Sequence, residues 1–133
     1  MATHWVRLAP ALVFAIALPL AAHPKAGDVS KQVSTAAAHA GMALGAADLK
    51  MAHAHLQHVI NCLVGPSGEG YDAQQADPCK GMGQGAMVDA KGDTAQEAQL
   101  QTALEHAQHG VKATTVDEAH ADAQKAMSSL QAH

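Results

Sequence analysis

Histidine is the residue of this sequence whose abundance and spacing suggest chemistry. The chain has ten histidines in 133 residues, and nine of them follow residue 22. A neutral imidazole is a common ligand of transition metals and titrates near neutral pH. Four of these histidines occupy related positions in the chain, namely His39, His53, His106 and His120. Metal binding is therefore the chemistry that the sequence first suggests.

Two parts of the chain repeat one another. Residues 32–63 align without a gap on residues 99–130, so that His39 falls on His106 and His53 on His120. Self-similarity of this kind is typical of a duplicated supersecondary unit. We interpret it as one helical hairpin present twice, as hairpin 28–64 and hairpin 93–132.

The fold class follows from periodicity and composition. Apolar residues at helical spacing predict four helices, near residues 29–44, 48–64, 94–110 and 115–131. Asp48 is the expected N-cap of the second helix, and 94–97 and 115–118 read as capping boxes. Aromatic residues, which strands favour, make up only 2% of the chain. The prediction is an all-α fold, an up-down-up-down four-helix bundle.

The turns of the two hairpins place the four related histidines at one height of such a bundle. His53 and His120 also lie in the apolar stripes of their helices. They are therefore expected to face each other across the core as metal ligands. His39 and His106 lie off the centre of their stripes and either complete this site or face solvent. A core histidine can also be neutral and hydrogen-bonded.

A second possible site lies on the outer face of the second helix. His55 and His58 are three residues apart, which allows both to bind one surface metal ion. Met42 follows His39 by three residues and Met51 precedes His55 by four. A thioether beside an imidazole suits copper.

The N-terminus and the cysteines indicate export. Residues 1–22 have one basic residue, an apolar run and small residues at the end, which together predict a cleaved signal peptide. Residues 23–133 then form a single domain in the periplasm or outside the cell. The only two cysteines, Cys62 and Cys79, are expected to form a disulfide in that oxidising compartment. The bond would tie the glycine-rich loop 65–92 to the outer face of the second helix near His58.

The two segments 104–110 and 118–126, LEHAQHG and EAHADAQKA, resemble the small metal-binding protein family. That resemblance covers the two hairpins and implies a periplasmic, histidine-rich four-helix bundle that binds copper and other divalent metals. His39, His53, His106 and His120 match the family's pattern best. The chain has fewer histidines than that family and adds the cysteine loop, which favours one or two defined sites over many.

Three functions remain open at the level of sequence. The favoured one is an exported protein that binds copper, or else nickel or zinc, for sequestration, buffering or delivery. The second is a non-covalent haem protein with His53 and His120 as axial ligands, and the third is a metal-free interaction or stress protein. An enzyme is not expected, since no nucleophile arrangement stands out. A net charge of −4 argues against nucleic acid as a partner, and the mature chain is not expected to bind a membrane.

Overall fold

The computed structural model describes residues 27–132, and the predicted signal peptide lies outside them. The elements in this range are all helices. They are α1 (Val29–Leu44), α2 (Leu49–Val64), α3 (Ala86–Asp89), α4 (Thr94–Gly110) and α5 (Val116–Gln131). The four long helices confirm the predicted spans to within one residue, and no strand occurs between residues 27 and 132.

Side-chain caps explain where the long helices begin. The Asp28 and Asp48 carboxylates accept hydrogen bonds from the backbone of Lys31 and Met51, at 2.9 and 2.8 Å. Such caps satisfy backbone N–H groups that have no partner inside the helix. Thr115 and Glu118 form the predicted capping box at the start of α5.

The predicted capping box at the start of α4 is wrong. Asp93, not Thr94, is the N-cap, and its carboxylate accepts from the Gln96 N–H at 3.1 Å. Glu97 reaches back to the Gly92 N–H at 2.8 Å. Aspartate is the stronger N-cap of the two residue types, which moves the cap one residue towards the N-terminus.

Alanine forms most of the core between the long helices. Helix α1 packs against α2 and α5, and α4 packs against α5 and α2. Alanines with no exposed surface lie on all four helices, at Ala36, Ala40, Ala43, Ala52, Ala103, Ala107, Ala119, Ala123 and Ala126. The largest buried side chains include Leu56, Leu63 and Leu100. Small residues let the helices approach closely, so the helices close on one another instead of bordering a wide slot.

The segment between the hairpins is held against α1 and α2 rather than being a free surface loop. It contains the short helix α3, which the sequence did not predict. Cys62 and Cys79 are bonded, as predicted, with a Cα–Cα distance of 5.1 Å. The bond is not on the outer face, however, because Cys62 is fully buried and the Cys79 sulfur lies 3.6 Å from the Gln32 carbonyl oxygen of α1.

Two polar side chains fix the same segment. The buried Asn61 donates to the carbonyls of Asp72 and Ala76 at 3.0 and 3.1 Å. The buried Gln32 donates to the Asp89 carboxylate at 2.8 Å. These hydrogen bonds satisfy polar groups inside the core and, with the disulfide, attach the segment to the first hairpin.

No helix in the described range has the length and apolar character that crossing a membrane requires.

Candidate metal centre

Three histidines converge at the contact between α1 and α2. The His39 Nδ1 atom lies 3.4 Å from the His55 Nδ1 atom and 3.3 Å from the His58 Nδ1 atom. The ring centroids are 5.1 to 5.6 Å apart. One nitrogen from each ring lies within 4.8 Å of the others, and between residues 27 and 132 this is the one group of three or more potential ligands whose atoms already lie that close together.

The packing of the two helices explains the convergence. On α2, His55 and His58 are three residues apart and share one face of the helix. Leu56 and Val59, next to them in sequence, are fully buried and fix the rotation of α2. That rotation leaves the two imidazoles half-buried at the edge of α1, where His39 meets them.

The surroundings of two of these imidazoles lower their pKa and so favour the neutral form. Partial burial, followed by the nearby His58 and His55 rings, lowers the pKa of His39. Partial burial, followed by the His55 ring, lowers the pKa of His58. Since only a neutral imidazole has a lone pair to give a metal, these pKa shifts favour the metal-binding form.

The arrangement of the nitrogens is one that a cation would stabilise. A neutral imidazole carries one N–H and one lone pair. The His39 Nδ1 atom faces two other Nδ1 atoms, and the tautomer of each ring determines which of them donates. When each ring carries its proton on Nε2, all three Nδ1 lone pairs are available to one metal ion, which would replace their mutual repulsion with three coordinate bonds. Imidazole nitrogens suit copper, nickel and zinc.

His53 lies apart from this cluster. Its Nε2 atom is buried and has no hydrogen-bond partner among the described residues. The side chain borders a groove that also includes Lys50, Asp72 and Val111. Gln57, one helical turn after His53, donates to the Gly70 carbonyl at 2.9 Å and to the Asn61 side-chain oxygen at 3.1 Å.

His120 holds the turn between α1 and α2. Its Nε2 atom lies 2.9 Å from the Ala46 carbonyl oxygen, so that nitrogen carries the proton and donates. Gln124, one helical turn after His120, donates to the Ser128 hydroxyl at 3.2 Å. His106 lies elsewhere again, with its Nδ1 atom 3.7 Å from the Asp122 carboxylate.

The structure thus gathers three of the six predicted ligands and not the other three. His39, His55 and His58 form one cluster, whereas His53, His106 and His120 each have different neighbours. The position of His39 opposite His55 had a signal in the sequence, because His39 lies six residues before Gly45 and His55 lies seven after Asp48. Equal distance from a turn gives equal height but not helix rotation, and alanine on all sides of His39 left the rotation undetermined.

No protein-family model matches this chain, and neither a curated protein nor a solved structure matches it. The assignment of function therefore depends on the geometry of the side chains.

Proposed function

We propose that this protein binds a transition-metal ion through His39, His55 and His58, and that copper is its preferred metal. The convergence of three Nδ1 atoms, two of them 3.3 and 3.4 Å from the His39 Nδ1 atom, is the observation that carries the proposal. Three imidazoles would supply nitrogen ligands and leave further coordination positions open.

Copper is favoured over nickel and zinc for two reasons. At a nitrogen-rich site the affinity of divalent metals rises to copper and falls again at zinc. In addition, Met42 and Met51 are about half exposed, at 49% and 48%. They lie about one helical turn from His39 and His55, and soft thioethers beside the imidazoles favour copper in its reduced state.

The proposed role is binding rather than catalysis, as sequestration, buffering or delivery of the metal. The disulfide is typical of a non-reducing compartment. With the predicted signal peptide, it supports an exported protein in the periplasm or outside the cell. The resemblance to the small metal-binding protein family and the alternating up-down order of the four helices belong to the same proposal.

Isothermal titration with Cu(II) distinguishes this site from the one expected at His53 and His120. The variant with His39→Ala and His58→Ala removes two ligands of the cluster. The variant with His53→Ala and His120→Ala removes the same number of histidines and is the matched control. We expect the first variant to lose the tightest copper equivalent, and the second to keep it.

The reverse result would contradict the proposed ligands and support a site in the bundle core. Equal losses from the two variants would mean that copper binds diffusely to surface histidines. Circular dichroism of each variant shows whether its helices are intact.

A further inference from the structure

The second hairpin carries a cluster at the positions that correspond to the three histidines. When residues 99–130 are aligned on residues 32–63, His106 stands at the position of His39. In the same alignment Asp122 stands at the position of His55, Lys125 at that of His58 and His109 at that of Met42. The α5 helix spans the same aligned positions as α2. Asp122 and Lys125 therefore occupy the same places on α5 as His55 and His58 do on α2.

Corresponding side chains are in contact in both hairpins. The His39 and His55 Nδ1 atoms are 3.4 Å apart, and the His106 Nδ1 atom is 3.7 Å from the nearer oxygen of Asp122. The second oxygen of Asp122 lies 2.6 Å from the His109 Nδ1 atom. Two imidazoles therefore meet the two oxygens of one carboxylate.

The burial of Asp122 makes this cluster more than a surface contact. Its side chain is only 7% exposed, and a buried carboxylate is destabilising unless a positive group compensates its charge. Among residues 27–132, His106 and His109 are its only ion-pairing neighbours. His109, Asp122 and Lys125 line one cleft, and Lys125 forms no ion pair with Asp122. A cation bound among these three side chains would compensate the charge of the carboxylate.

We propose that His106, His109 and Asp122 form a second metal site, with two imidazole nitrogens and one carboxylate oxygen as its ligands. This donor set is harder than three nitrogens and suits zinc and similar divalent ions. His106 and His109 lie on opposite oxygens of the carboxylate, so one ring has to turn for all three ligands to reach one ion. The His109 side chain is 79% exposed and free to make that movement.

This site differs from the first because Lys125 stands at the position that His58 occupies in the first hairpin. The second site therefore lacks a third imidazole and has a positive charge beside its cleft. We therefore expect the second site to bind metal ions more weakly than the first. We also expect it to prefer copper over zinc less strongly than the first, because it has two nitrogen ligands and not three.

Zinc titration of the full mature chain, by calorimetry and by competition with a chromophoric chelator, tests the proposal. We expect two zinc equivalents. His109→Ala and Asp122→Asn should each weaken one of them by more than about 100-fold, because loss of a ligand exceeds the about 10–100-fold effect of losing its supporting partner. Asp117→Asn, which removes an equal charge from an exposed position on the same helix, is the matched control and should keep both.

The outcomes separate this site from the first one. If His39→Ala with His58→Ala removes one zinc equivalent and Asp122→Asn removes the other, both sites exist. If Asp122→Asn and His109→Ala leave the binding unchanged, the second site is wrong, and the first stands when His39→Ala with His58→Ala removes a zinc equivalent. If only these two variants reduce binding, the second site stands and the first is wrong. Since His109 is exposed, its replacement tests the ligand without disturbing the core.

Discussion

The two hairpins share a backbone frame but differ in the side chains at the same positions. In the first, His39, His55 and His58 present nitrogens to one another at the α1–α2 contact. In the second, a buried carboxylate lies between His106 and His109. The comparison shows that helix position determines which residues meet, while the identity of those residues determines which donor atoms and charges they bring together.

The hairpins also differ in their attachment to the segment between them. The disulfide, Asn61 and Gln32 all connect the 65–92 segment to α1 and α2. The described contacts of this segment with the second hairpin include packing of α3 on α4. The first cluster is therefore braced by a covalent bond one helical turn from His58, whereas the second depends on packing.

Removal of the disulfide is expected to have the largest effect. Replacing Cys62 and Cys79 together by serine should lower the free energy of unfolding by about 3 kcal/mol, because the bond closes a short loop of the unfolded chain. Chemical denaturation measures that loss. Hydrogen exchange should increase in 65–92 and in α2 more than in α5, and an equal increase in both helices would contradict the bracing of the first hairpin alone.

Transfer of the histidines of the first hairpin to the second is expected to have the next largest effect. Changing Asp122→His and Lys125→His gives the second hairpin the three histidines of the first. We expect this variant to gain a Cu(II) equivalent, with an affinity about 100-fold above that of the original second site, since an all-nitrogen site favours copper. Copper calorimetry and electron paramagnetic resonance check it.

The matched control for that exchange places the same two histidines outside the cluster, at Asp117 and Gln124 of the same helix. Both positions are exposed. A similar gain of copper in both variants would show that histidine number, and not position in the repeat, determines binding.

Loss of a helix cap should affect the two hairpins equally. Asp48 and Thr115 stand at corresponding positions of the two hairpins. Each side chain accepts a hydrogen bond from the backbone N–H of the third residue of its helix, Met51 in α2 and Glu118 in α5. Asp48→Ala and Thr115→Ala should each lower the free energy of unfolding by about 1 kcal/mol. Urea denaturation of the two variants measures this, and a difference of several-fold between them would show that the repeats are not equivalent in stability.

The pH dependence of the metal-free protein is the smallest effect and distinguishes the two clusters. The pKa values of His39 and His58 are lowered in the folded chain, so the unfolded chain binds more protons as the pH falls. Their contribution to stability is complete above about pH 6.5, the ordinary value for histidine. It is lost as the pH falls from there through the lowered pKa values. Because both rings are partly exposed, solvent reduces the size of this effect.

Thermal unfolding of the metal-free chain between pH 5 and 8 measures it. The variant with His39→Asn and His58→Asn should lose less stability on acidification than the unchanged protein. An unchanged slope in this variant would mean that other groups cause the acid sensitivity. Copper binding at the first cluster should also persist to a lower pH than at an ordinary histidine, because fewer protons compete for the nitrogens.

The sequence predicted the helices well because local signals define them. Apolar spacing and the caps at Asp48 and Thr115 placed the long helices within one residue, and the paired cysteines predicted the disulfide. Thr94 was a less reliable signal because Asp93 precedes it. The short α3 helix depends on contacts made by the folded segment and had no local signature.

The candidate site was only partly predictable for a physical reason. The 3.6-residue period of a helix identifies a buried face when large residues mark it. On α1 the buried residues are mostly alanines, which also occur on its exposed face, as Ala38 does. The height of His39 in the bundle was therefore predictable from the sequence, but the direction in which its side chain points was not.

The fully buried alanines of α1 also affect how far apart the ligand atoms of the first cluster lie. Ala36 lies three residues before His39 and Ala40 follows it directly, and neither has any exposed surface. A larger side chain at either position would have no space unless α1 moved away from a packed neighbour, and that movement would carry His39 with it. We therefore expect the distances between His39 and the two histidines of α2, and with them the size of ion that the proposed site would hold, to depend on these two methyl groups.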